Sequence, residues 1–451
     1  MKILFKIYPQ KSHFNATFAF AKSLQQQGHD IIYAGLSQMQ RHVECQGFAY
    51  HVQTEDIFPP MDDSQKQPPL TFWTIVKSWR SIRRSARILR PKYERSDDLS
   101  KLANDLKPDL MLVDSPYVFF ALSLYKCPIQ FAILESMMPL DRAPGCPPLD
   151  TTYVPKPTWL SRQVCELHWH RYFIKRWILG KIGLRVDFNQ TLVKQRAIAC
   201  GLDPSGISFD RYFHIGLTHV PELFLSPQGL DFPRSLKPNQ FFIGTSVDPS
   251  RQEAITDYRF EVIFHRMVQE RGDGHQLVYC SLGTAPHRYR GAKGFLHRLI
   301  EAARDQTWNL IMAIGNQLRI EPHCQVPSNV AVFQLVPQLR VLKSADLMIT
   351  HGGMNSINEC TALNVPMVVY PGTKEIDQAG NAARVAYWQS GAIGSLSDET
   401  STLIRRRITI GLTNRSEIAT DLDRHHQAYS AFAQQSHPTS DPITFIMQLR
   451  R

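Results

Sequence analysis

Residues 350–385 read THGGMNSINECTALNVPMVVYPGTKEIDQAGNAARV. An apolar run, Leu347-Met348-Ile349-Thr350, ends at His351-Gly352-Gly353, and a helical pattern follows with Asn355 and Ser356 at its start and Glu359 one turn in. A second apolar run, 365–370, leads into Asp377-Gln378 and Asn381. Short apolar runs alternating with helical patterns are βα units, which build a parallel sheet with ligands at the strand carboxyl ends. Glycines let the backbone turn sharply and approach a ligand closely. The free N–H groups and dipole of a helix start favour an anion. Two adjacent strand ends thus offer phosphate donors and hydroxyl acceptors to one crevice.

The same rhythm runs outward in both directions. Residues 2–8 predict a buried strand, 14–27 a helix closed by Gly28, and 30–36 a second strand. It returns at 109–114 and 129–134, with a helix over 118–124 between them. Between Pro227 and Pro249, prolines, polar residues and Gly244 read as a linker. Beyond it come strands at 276–282, 309–314, 330–335 and 347–350 and helices near 295–304 and 338–344. At 451 residues the chain exceeds what one hydrophobic core usually serves. The expected organisation is therefore α/β, with two doubly wound, Rossmann-like domains over 1–235 and 251–425, a linker over 236–250, and closing helices over 426–451.

A hydrophobic content of 43% with 20% charged residues excludes a disordered chain. The net charge of +11 and pI near 9.2 permit nucleic acid, an anionic membrane surface or acidic small ligands as partners. No nucleic-acid-binding motif accompanies that charge, so nucleic acid is not expected. The start, MKILFKIYP, is interrupted by Lys2 and Lys6 and does not form a signal-peptide core, and no apolar run reaches membrane-spanning length, so the cytoplasm is the expected compartment. Eight scattered cysteines without a CxxC pair indicate neither a zinc site nor a disulfide framework. His168 and His170 lack a carboxylate or thiol at ligand spacing, so no metal site is expected there.

The quoted stretch resembles the donor-binding signature of the family-1 nucleotide-sugar glycosyltransferases, HxGxNSxxE followed by DQxxNA. The segment DQAGNAARVAY, 377–387, is most similar to the bacterial branch containing macrolide and zeaxanthin glycosyltransferases. The resemblance implies the GT-B fold, in which two such domains face each other across a cleft and the last helices return to the first domain. It implies that His351 contacts the donor diphosphate, with Gly353, Asn355 and Ser356 adding hydrogen-bond donors. Glu359 would accept from ribose hydroxyls, and Asp377 and Gln378 would hold hydroxyls of the transferred sugar. A diphosphate needs donors and a ribose diol suits a carboxylate, so the chemistry agrees with these roles. Ser281-Leu282-Gly283-Thr284 resembles the phosphate-contacting loop, and Leu335, Val336 and Gln338 stand where the family meets the nucleobase. Leu335 replaces the usual stacking Trp, which weakens any preference for uridine. The passage from Pro371 to Asp377 is longer than the family's usual gap, so Glu375 competes with Asp377 for the sugar.

Ser12-His13-Phe14-Asn15 resembles the family's GHxNP, whose histidine is the catalytic base, with Ser12 and Ala16 replacing Gly and Pro. Asp114 corresponds to its partner aspartate. Transfer to a hydroxyl with inversion needs a base at the acceptor oxygen, and an imidazole base wants a carboxylate to fix its tautomer and support the cation. The helix start near Asn355 would receive the leaving diphosphate, so neither a metal nor a cofactor is expected, only a nucleotide sugar such as UDP-glucose as co-substrate. Residues 71–95 carry an apolar stripe with Lys and Arg elsewhere on the wheel, which suits either packing on the first domain or lying on an anionic membrane. Trp169, Tyr172, Phe173, Trp177 and Ile178 form a second aromatic segment, where core packing competes with an acceptor pocket. The expected function is hexosyl transfer to an apolar hydroxylated small molecule: a carotenoid, macrolide, sterol or flavonoid-like compound. The alternative is a catalytically silent relative that binds nucleotide sugar or lipid.

Overall fold

Every strand ladder in both large sheets is parallel. A computed structural model describes residues 1–58, 97–181, 189–244, 247–321, 324–373 and 376–420. The first sheet contains β1 (Lys2–Lys6), β2 (Asp30–Leu36), β3 (Ala49–Gln53), β4 (Leu110–Asp114) and β5 (Gln130–Glu135). A separate antiparallel ribbon pairs β6 (Ile207–Ser208) with β7 (Gly216–Leu217), after which β8 (Glu222–Phe224) and β9 (Gln240–Phe242) complete the first sheet. Its order is β3-β2-β1-β4-β5-β8-β9. The second sheet is built from β10 (Gln276–Ser281), β11 (Trp308–Ala313), β12 (Val330–Phe333), β13 (Leu347–Thr350), β14 (Met367–Val369) and β15 (Gly391–Ile393), in the order β12-β11-β10-β13-β14-β15.

In each sheet the winding reverses beside its first strand, between β1 and β4 and again between β10 and β13. Helices leave such a point in opposite directions and open a crevice at the strand carboxyl ends. The helix Lys11–Gln26 follows β1 and Asp114 ends β4, so His13 and Asp114 flank the first crevice. Ser281 ends β10 and Thr350 ends β13, so Gly283 and His351 flank the second.

Burial explains why these strands read as continuous apolar runs. Leu347, Met348, Ile349 and Thr350 are all 0% exposed, since helices cover both faces of a parallel sheet. Each such Leu or Ile contributes about 1.5–3 kcal/mol. One core cluster unites Leu149, Trp169 and Tyr172 with Phe260, Tyr279 and Met354, so the two halves share a buried surface.

The edges depart from the sequence expectation. β9 lies inside the stretch expected as the linker, 236–250, and the passage between the sheets starts after Phe242. Strands β3, β8 and β15 and the helices Asp98–Leu106, Gln190–Ala199, Phe260–Gly272 and Ser401–Thr413 have no counterpart in the sequence reading. The amphipathic segment 71–95, Glu375 and the expected returning helices beyond residue 420 lie outside the described residues.

Candidate active site

The helix Met354–Ala362 begins at the tip of β13, and its start is shaped around an imidazole. Gly352 has φ +87, and a Cβ there would come within 2.8 Å of Val369 Cγ1. Gly283 has φ +81, and its Cβ would lie 2.7 Å from His351 Cε1; a Cβ on Gly353 would lie 2.7 Å from His351 Nε2. The ring therefore sits between two glycines, with Tyr289 stacked at 5.8 Å and 22°. Burial holds the His351 pKa down at about 4, so the ring is neutral near pH 7. Its Nδ1 has no hydrogen-bond partner among the described residues. A neutral N–H between glycines suits a diphosphate oxygen.

Gly353 itself has ordinary backbone angles, φ −64 and ψ 137, so an alanine there tests space alone. Gly353→Ala is expected to push the imidazole aside and weaken nucleoside diphosphate binding roughly tenfold, in line with about 1–3 kcal/mol for overpacking. Calorimetric titration with UDP measures it, and unchanged affinity would remove His351 from the site.

Glu359 is 2% exposed and already partnered. Arg251 Nη1 donates to its Oε1 at 2.8 Å and Gln338 Nε2 to its Oε2 at 2.6 Å. Arg251 also meets Glu253 at 2.7 Å, and Glu253 accepts from the Leu339 backbone N–H at 2.9 Å. Burial raises the Glu359 pKa, against the opposing pull of Arg251 and Gln338. Ser356 is buried beside them, with its Oγ 3.3 Å from Gln338 Nε2. Leu335 and Val336 are partly buried on the approach to Gln338, and Thr284 is exposed beyond Gly283. Ser281 Oγ accepts from the Gly283 backbone N–H at 3.4 Å.

Asp377 is buried, which raises its pKa, and Asn381 Nδ2 donates to its Oδ2 at 2.8 Å. Gln378 is engaged within the chain. Its Oε1 accepts from the backbone N–H groups of Gly372 and Thr373, at 2.9 and 3.1 Å, and its Nε2 donates to Tyr289 Oη at 3.0 Å. The side chain shapes the loop before Asp377 and braces the Tyr289 ring that stacks on His351. Arg251 and Tyr289 were missed from sequence because neither belongs to a local motif; Arg251 and Glu359 are 108 residues apart.

Across the cleft, His13 Nδ1 lies 2.7 Å from Asp114 Oδ2, an oxygen that also accepts from the Tyr8 backbone N–H at 3.0 Å. Burial alone would lower the His13 pKa. The Asp114 charge, the hydrogen bond to it and the Asp377 charge outweigh burial and raise it. The influence of Asp377 on His13 brings together residues expected to hold the sugar and to take the acceptor proton. Asn355 Nδ2 donates to the Ser12 backbone carbonyl at 2.6 Å, so the two helix starts meet directly. In this arrangement the Asn355 amide ties the domains together.

The two halves are joined further by a buried ionic cluster. Arg384, on the helix Gln378–Tyr387, donates from Nε to Asp231 Oδ1 at 2.9 Å, and Arg234 Nε lies 2.7 Å from Asp231 Oδ2. Trp388 Nε1 donates to the Asp231 carbonyl at 3.0 Å.

Residues 292–435 match the Glycosyltransferase family 28 C-terminal domain. The chain is 38% identical over 136 residues to NDP-glycosyltransferase YjiC of Bacillus licheniformis, a match spanning 30% of this chain and 33% of that protein. To the zeaxanthin glucosyltransferase of Pantoea ananas it is 22% identical over 414 residues, covering 90% of this chain and 87% of the relative. The fold is similar to the crystal structure of the glycotransferase of kitacinnamycin, with TM-score 0.62, 18% identity, and 96% and 95% of the two chains covered. Taken with the two reversing parallel sheets, these matches show the GT-B fold, with the second half of the chain similar to nucleotide-sugar glycosyltransferases over residues 292–435 and the chain spanning about a third of the length of the first curated relative it matches.

Proposed function

We propose that this protein moves a hexose from a nucleoside diphosphate sugar to a hydroxyl of an apolar small molecule, with inversion and without a metal. The observation that carries this reading is the His13–Asp114 contact at 2.7 Å, on a helix start tied to Asn355 through Ser12. With Nδ1 held by Asp114, Nε2 is the nitrogen left for chemistry. Nε2 takes the acceptor hydroxyl proton as the oxygen attacks the anomeric carbon. The bond from that carbon to the diphosphate oxygen breaks, and the nucleoside diphosphate leaves with the electron pair. His351 and the N–H groups at the start of Met354–Ala362 receive its charge. Asp377 holds sugar hydroxyls and Glu359 faces the ribose, with Arg251 and Gln338 orienting its carboxylate. UDP-glucose is the donor to try first.

The reading is tested with a panel of nucleotide sugars and apolar alcohols, following nucleoside diphosphate release and identifying products by mass spectrometry. Donor binding without release, with every acceptor, would instead mean a silent binding relative. The contact between His13 and Asp114 counts against that alternative, which has no use for a supported base.

A pH dependence follows from the raised His13 pKa. The base must be neutral, so kcat/KM falls as pH drops through that pKa. Asp114→Asn removes the charge that raises it, so the acid limb is expected to move to lower pH while the rate also falls. An unmoved limb would assign the titration to another group. Stability has the opposite sign: the pair contributes fully below the unfolded histidine value of about 6.5, and that contribution is lost as pH rises through the folded pKa.

A further inference from the structure

The helix Trp159–Lys181 has two apolar faces and uses only one of them. Ser161, Cys165, Trp169, Tyr172 and Arg176 point into the protein. On the opposite side Trp159, Leu160, Leu167, Ile174, Trp177 and Ile178 face outward, each at least 45% exposed and Trp159 at 69%. At 3.6 residues per turn these six fall within an arc of about 100° along roughly 28 Å of helix. The aromatic segment expected to be core or acceptor pocket is thus divided, with Trp169 and Tyr172 inside and Trp177 and Ile178 outside. Isolated surface apolar residues need no explanation, but a continuous stripe of this kind marks a docking face.

The charges beside the stripe select its partner. Arg171, Lys175 and Lys181 are exposed on or next to it. The helix has a single acid, Glu166, and that side chain is paired with Arg142. Asp150 is close enough to Arg171 and Lys175 to feel their charges. The surroundings remain cationic, in a chain of net charge +11. A second copy laid on this face would bring like charges together. An anionic lipid surface offers the opposite charge, and its interface accommodates Trp rings and aliphatic side chains. Among the described residues no helix is long and apolar enough to cross a membrane, so the contact is one of lying on the surface.

We propose that the outward face of Trp159–Lys181 docks the protein on an anionic lipid bilayer, with the apolar stripe at the headgroup boundary and the basic side chains on lipid phosphates. The proposal stands apart from the transfer reaction, since docking is measured without a sugar. If the acceptor is also apolar, the same contact brings the first domain to where such molecules dissolve.

The test is co-sedimentation of the full chain with vesicles of phosphatidylcholine, alone or with about a third phosphatidylglycerol. Binding is expected only to the anionic vesicles and is expected to weaken in high salt. The double substitution Ile174→Asp with Trp177→Asp is expected to lower partitioning at least about tenfold, with thermal midpoint and nucleotide binding unchanged. Three results would overturn the proposal. Wild-type protein failing to bind anionic vesicles removes the lipid. A dimer that the same double substitution dissociates makes a second copy the occupant. A large fall in thermal midpoint means that the chain itself covers the stripe.

Discussion

His13→Ala is expected to reduce glycosyl transfer by about 10²–10⁴-fold, the range of a positioned general base, while nucleoside diphosphate affinity stays nearly unchanged. The separation follows from where the residues lie. His13 belongs to the first domain, on the helix Lys11–Gln26, whereas His351, Glu359 and Gln338 surround the crevice of the second. The Asn355 bond between the two helix starts uses the Ser12 backbone carbonyl, which alanine at position 13 leaves in place. Single-turnover assays at saturating donor measure the chemical step, and calorimetry with UDP measures binding. A rate within a few-fold of wild type would mean that another group takes the proton. A parallel loss of affinity would mean that His13 supports the fold of the cleft.

Asp231→Ala is expected to be strongly destabilising, costing about 3–5 kcal/mol. Its carboxylate lies between Arg384 and Arg234, and all three side chains are at most 5% exposed. Removing it leaves two guanidinium groups buried beside each other without a counter-charge. Arg384 sits on the helix whose N-cap is Asp377, so the damage reaches the crevice at Asp377 as well as the domain interface. Thermal melting and urea denaturation read the effect, and donor binding should fail at temperatures where the wild type retains it. A variant that melts with the wild type would show that the cluster is dispensable for stability.

Much of this architecture is legible in the sequence, because its signals are local. The runs 347–350 and 276–282 are apolar throughout since both sheet faces are covered, and a glycine or polar turn closes each unit. The stretch from His351 to Asn381 encodes its site through spacing alone: glycines where the imidazole needs room, a carboxylate one helical turn on. His13 and Asp114 are readable because each ends or follows a strand at the winding reversal. Strands β8 and β9 are not, since three residues of Glu222–Phe224 or Gln240–Phe242 hold too little periodicity to separate from a loop. Arg251 is illegible for another reason: its role is defined by Glu359, a distant carboxylate that only the fold brings within 2.8 Å. Gln378 shows a third limit. Its position in the motif is readable, but its contacts with Gly372, Thr373 and Tyr289 are not. The outward stripe of Trp159–Lys181 is illegible in the sequence because two apolar faces on one helix blur the usual one-sided pattern.

Direct displacement at the anomeric carbon, with His13 as the single base, inverts the configuration there. The most direct measurement is the anomeric configuration of the first product formed from an α-linked nucleotide sugar, read from the proton coupling at the anomeric carbon by NMR. A β-linked product is expected. An α-linked product would contradict it, because retention requires a second displacement or a front-face route that a base on the opposite wall of the cleft does not provide.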